Sequence, residues 1–130
     1  MPNINDHAFW SKVARAANDH PPFAQKSRHL EAVTAALVID EAVIGLEFHR
    51  GKLALIDGPA LRGFRFTLRG PGAEWRRVMR QEIAFAQAIN VRHGKLRAEG
   101  DILTMTWATP ALWELFRVTA RLASGAPENA

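Results

Sequence analysis

The sequence predicts an α+β fold: a mainly antiparallel sheet of about four to five strands, covered on one face by helices. Two observations lead there. Between Glu41 and Gly70, apolar residues recur at every second position in three consecutive runs, as in strands with one buried face. On both sides of that block the apolar spacing lengthens to three and four, as in helices that turn one stripe toward a core.

The totals agree. A chain of 130 residues buries a single core without metals or disulfides, so one domain is expected. It has no cysteine, which removes thiol catalysis and cysteine-based zinc sites. The net charge of +4, from 17 Lys and Arg against 13 acids, is compatible with anionic membranes, nucleic acid or acidic partners and selects none of them. The start MPNINDHAFW has no basic leader followed by an apolar run, and no stretch approaches the ~20 apolar residues of a membrane span. A cytoplasmic protein is expected.

Residues 5–17 read as a helix capped by Asn5 or Asp6, with Phe9, Val13, Ala16 and Ala17 at helical spacing. His20-Pro21-Pro22 ends it. A second helix is expected over 23–37, with Leu30, Val33 and Leu37 on one face, making 1–37 an N-terminal helical segment. In AVIGLEFHRG, Ile44, Leu46 and Phe48 then face one way, and Gly45 and Glu47 the other. HRG turns the chain and KLALIDGP returns. FRFTLRG places Phe64, Phe66 and Leu68 on one side and Arg65, Thr67 and Arg69 on the other. These three strands predict an antiparallel meander with one apolar face.

AEWRRVMRQEIAFAQAIN provides the cover, as one long helix or two short ones, with Trp75, Val78, Met79, Ala86 and Ile89 near one face. HGKLRAEGD gives a strand from Lys95 to Glu99 between Gly94 and Gly100, its wet side Lys95, Arg97 and Glu99 and its inner side Leu96 and Ala98. Asp101 reads as a helix N-cap. Residues 102–107, ILTMTW, fit strand or helix. Thr109-Pro110 marks a helix start, followed by Leu112, Leu115, Phe116, Thr119 and Leu122 at helical spacing, with a frayed tail over 124–130.

Catalytic constellations are scarce. None of Ser11, Ser27 and Ser124 sits in a nucleophile elbow. Of the five histidines, His49 and His93 both lie beside a glycine at a strand end; as a pair they would suit acid–base work, and as singles they are solvated turn residues. Gly45 to Lys52 has the wrong spacing for a phosphate loop, and Leu53 replaces its hydroxyl residue. RGFRFTL, residues 62–68, partly matches an RNA-recognition strand, but Arg65 stands where a small residue belongs. An ordinary strand with its phenylalanines in the core accounts for it more simply. What remains is an excess of large apolar side chains, among them Trp107 and Trp113, on the elements that face the sheet.

The second half of the chain resembles the sterol carrier protein type-two family. The resemblance rests on FRFTLRG, AEWRRVM, HGKLRAEGD and ILTMTWATPALWELF, and its specific part runs from Gly94 to Asp101. In that family a run like GKL-x-x-EGD ends the last strand and leads into apolar helices that cover the sheet and close a lipid-binding tunnel. The resemblance implies helix for 102–107. It also implies binding or transfer of a lipid, sterol, fatty-acyl chain or quinone, without catalysis; no cofactor or metal is expected. The chain departs from the family at Arg62-Gly63-Phe64, where an acidic residue is common, and in an expected lack of a polar turn in the central helical region.

The expected lining is therefore Phe48, Phe64, Phe66, Leu96 and Ala98 from the sheet, with Trp75, Met79, Ile83, Met105, Leu115 and Phe116 from the cover. Arg76, Arg77 and Arg80 suit an anionic head group or membrane surface, or simply a solvated helix face. Nucleic acid is not favoured. The alternatives are an RNA-binding module built on strand 62–68, and an accessory subunit or small enzyme of lipid or quinone metabolism that uses His49 and His93.

Overall fold

A computed structural model describes residues 4–56, 63–90 and 92–123. The end of the expected strand KLALIDGP beyond Ile56, Arg62 of the expected strand 62–68, and the expected tail over 124–130 lie outside the described residues. The first helix, α1 (His7–Asn18), is capped by Asp6, whose carboxylate accepts the Ala8 N–H, and it buries Phe9, Trp10, Val13, Ala16 and Ala17. Pro21 and Pro22 then begin a short helix, α2 (Pro21–Ser27), where a missing N–H costs nothing.

The chain next departs from the helix expected over 23–37. Val33–Ile39 is a strand, β1, with hydrogen-bonded neighbours on both sides. Being central, it is buried along nearly its whole length, so its sequence VTAALVI shows no two-residue alternation. β1 turns through Asp40 and Glu41 into β2 (Ala42–His49), which turns through Arg50 and Gly51 into β3 (Lys52–Ile56). Arg50 and Gly51 have φ of 48° and 89°, the left-handed pair that a two-residue hairpin needs. At the sheet edge the Asn18 side chain accepts the Leu53 N–H and donates to the Leu53 carbonyl, at 2.7 and 3.0 Å. It thereby occupies edge groups of β3 that would otherwise template another strand.

β4 (Phe66–Gly70) does not continue the meander. It crosses over to lie parallel to β1, with Leu37 opposite Leu68, and β5 (Arg97–Gly100) pairs antiparallel on its far side. The sheet order is β3-β2-β1-β4-β5, mostly antiparallel with one parallel pair. Ile44, Leu46, Phe48, Leu37, Phe66 and Leu68 share the helix-covered face, each fully buried. Phe64 is a correction: its ring lies where a Cβ on Gly45 would point, 3.1 Å away. That is the opposite face of the sheet, because Gly45 alternates with Ile44 and Leu46.

The cover between β4 and β5 is two helices, α3 (Gly72–Met79) and α4 (Phe85–Ala88). The polar run Arg80-Gln81-Glu82 separates them, and Gln81 has a left-handed φ of 59°. The polar turn expected to be missing here is thus present. After β5, a single helix α5 (Ile102–Ala123) runs through Pro110, so Thr109-Pro110 is no helix start. The start lies at Asp101, whose carboxylate accepts the Thr104 N–H at 3.1 Å and the Thr104 hydroxyl at 2.7 Å.

The glycines that bracket β5 are set by close backbone approach. A Cβ on Gly94 would lie 2.1 Å from the Ala88 carbonyl oxygen. One on Gly100, at φ 95°, would lie 2.7 Å from that of Arg65.

Candidate functional site

The space between sheet and helices is largely filled by side chains. Phe48, Phe66, Trp75, Met79 and Leu115 are fully buried, and Leu96, Met105 and Phe116 nearly so. Phe48 packs on Phe23 of α2, and Trp75 donates its indole N–H to the Val38 carbonyl at 3.0 Å. A buried indole N–H needs such a partner, and the bond ties α3 to the central strand. Trp75 is thus a strut between α3 and the sheet. Phe64 on the far face does not join this group; Ala98 is half-buried against the core.

Open volume is found where α3 breaks from α4. An apolar cleft of about 200 Å³ is lined by Val78, Gln81, Ile83, Ala84, Phe85, Trp113 and Phe116. Its back is aromatic: the Phe116 ring lies 5.2 Å from Phe85 and 6.1 Å from Trp75. Beside it lies a basin of about 440 Å³, lined by Arg77, Glu82, Ile83, Gln87, Asn90 and His93. Ile83 belongs to both and separates the aromatic cleft from a basin edged by charged and amide side chains. Arg77 reaches the basin while donating to Glu74 at 3.0 Å.

Of the residues expected to line a cavity, only Ile83 and Phe116 border these spaces. The sequence reading missed Val78, Gln81, Ala84 and Phe85. Its available signal was the polar triplet 80–82, which interrupts an otherwise regular apolar spacing.

The other expected chemistry does not assemble. His49 ends β2, where its Nδ1 accepts the Ala32 N–H at 3.2 Å. His93 precedes β5, whose first residue pairs with Arg69 at the opposite end of the sheet. The two imidazoles are separated by β1 and β4 as well as by strand length, so they form no acid–base pair. Phe66 is fully buried and Phe64 lies on the other face, so the two rings form no shared stacking platform. Among the described residues, no three His, Asp or Glu side chains converge on a metal position. No helix among them is long and apolar enough to cross a membrane.

A partly buried polar chain does form among the described residues. Arg121 donates to His20 Nδ1 at 3.0 Å, which leaves the ring proton on Nε2, 3.4 Å from the carboxylate of buried Glu114. Arg117 reaches the same carboxylate at 3.6 Å. This chain ties the α1–α2 junction to the middle of α5.

A mixed five-stranded sheet, covered on one face by helices and closed by a long C-terminal helix, is the sterol-carrier architecture. The chain superimposes on sterol carrier protein 2 with a TM-score of 0.72 at 17% identity, covering 91% of this chain and 98% of that one. A conserved hypothetical protein of Thermus thermophilus, named as a candidate sterol carrier protein, gives 0.71 at 20% identity over 97% and 94%. A ubiquinone synthesis protein, UbiJ-SCP2, gives 0.58 at 14% identity over 84% and 90%. The chain thus has the fold of sterol carrier protein 2. No protein-family model matches the sequence, and no curated protein matches it.

Proposed function

We propose that this protein binds and carries one amphiphilic molecule, without catalysis, at the junction of α3, α4 and α5. The observation that carries the reading is the partition at Ile83, which sets an apolar cleft against a basin edged by Arg77, Asn90 and His93. An acyl, sterol or isoprenoid portion enters the cleft, and a carboxylate, phosphate or quinone carbonyl faces the donors of the basin. Taken together the two spaces fall within the ~300–1,000 Å³ usual for small-molecule sites. Each buried methylene contributes ~0.8 kcal/mol, so an acyl chain of about ten carbons is held chiefly by its tail. Fold likeness to sterol carrier protein 2 and to a ubiquinone synthesis protein supports the same ligand class.

Native mass spectrometry after gentle purification, with titration by a fluorescent fatty acid, tests the reading. A co-purifying lipid-sized mass and saturable binding are expected. No bound mass together with no saturation overturns it.

A further inference from the structure

The outer surface of α5 is unlike that of the other helices. Leu103, Trp107, Pro110 and Trp113 follow one another at three- and four-residue spacing, which places them along one side. Leu103 is 81% exposed, Trp107 66% and Trp113 49%, and every exposed large hydrophobic side chain among the described residues lies on this helix. Scattered exposed leucines are ordinary, whereas an aligned stripe with two tryptophans marks a contact surface.

We propose that this stripe docks the protein on an anionic lipid membrane. The charge around it fits that occupant. The one carboxylate on α5, Glu114, is buried and engaged by His20 and Arg117, so the exposed side of the helix carries no acid. Asp101, at the foot of the helix, is held by Arg65. Arg117 stacks over the Trp113 ring, its guanidinium carbon 5.3 Å from the centroid. His29 sits edge-on to Trp107 at 5.3 Å, and exposed Arg28 precedes it. Tryptophan and leucine flanked by cations are the residues that settle at a lipid headgroup boundary.

The stripe also runs to the site. Trp113 belongs both to it and to the lining of the apolar cleft, so a docked protein holds the cleft mouth against the lipid from which a ligand is drawn. The docking inference rests on the amphiphile reading only for this purpose; the contact itself is testable alone.

The test uses intrinsic fluorescence and co-sedimentation with vesicles of phosphatidylcholine, with and without phosphatidylserine. Trp10 and Trp75 are fully buried, so a blue shift on mixing reports Trp107 and Trp113. The expected result is a blue shift and sedimentation with the anionic vesicles, both weakened by salt. Leu103→Ser and Trp107→Ser each lower partitioning by about tenfold. Leu103→Ser, which does not line the cleft, leaves fatty-acid binding unchanged. Absence of any shift, or partitioning indifferent to Leu103→Ser, overturns the proposal. So does a concentration-dependent dimer that dissolves in Leu103→Ser, which assigns the stripe to a second copy. Docking without fatty-acid binding keeps the membrane face and removes the amphiphile reading; binding without docking does the reverse.

Discussion

The ring of Phe85 lies 5.2 Å from that of Phe116, tilted by 44°, and this pair joins the short α4 helix to the middle of α5. Phe116 in turn meets Trp75, whose indole is hydrogen-bonded to the central strand. The back of the cleft is thereby anchored to the sheet, while Ile83 and Trp113 at its mouth keep contact with solvent. Removing the shared ring by Phe116→Ala costs about 3–5 kcal/mol of stability, read from urea unfolding.

Ile83 is the position at which the cleft can be closed with little harm to the fold. Because the side chain is only half-buried, Ile83→Trp changes stability by less than about 1 kcal/mol. It fills the partition between the two compartments, and titration with a fluorescent fatty acid is expected to lose saturation.

Asp101 makes the start of α5 sensitive to acid. The Thr104 hydroxyl, then the Thr104 N–H and Arg65, hold its carboxyl down from 3.8 to about 2. A carboxyl lowered on folding contributes stability above its unfolded value, and that contribution disappears as pH falls from about 4 toward 2. Titration of the Asp101 carboxyl by NMR is expected to give a midpoint near the lower value. Thr104→Val removes the strongest of the three interactions and raises that midpoint.

Glu114, the buried end of the polar chain, tests its role. Glu114→Ala leaves the Nε2–H of His20 without its acceptor and costs about 1–3 kcal/mol. Glu82→Ala, at an exposed ion pair with Arg80, stays within about 0.5 kcal/mol. Equal effects of the two substitutions on the urea midpoint would contradict the structural role of Glu114.

What the sequence disclosed and what it hid follow from how each element is buried. β2 alternates because one of its faces carries Ile44, Leu46 and Phe48 into the core, so it was legible. β1 was not, because a strand with neighbours on both sides and burial on both faces loses its period and resembles a buried helix. That single omission also hid the crossover, since β4 pairs with β1 and not with β3. The strand expected over 95–99 forms over Arg97–Gly100, with Lys95 and Leu96 leading into it; the exposure of Lys95, Arg97 and Glu99 was legible, as was Asp101 as a cap. For the site, composition pointed to an apolar lining but not to its place. Most of the named side chains pack against each other, and the cleft among the described residues lies beside the helix break at Gln81. The exposure of Trp107 and Trp113 was hidden as well, because an apolar helix reads alike whether its tryptophans face a core or the solvent.

In the proposed function an apolar chain occupies the cleft between Ile83, Phe85 and Phe116. NMR of the protein titrated with a long-chain fatty acid measures this directly. Saturable shifts of the Ile83 methyls and of the Phe85 and Phe116 rings are expected, with those of Phe23 and Phe48, packed together elsewhere in the core, unmoved. Shifts confined to Phe23 and Phe48, or no saturable shift at all, would contradict it.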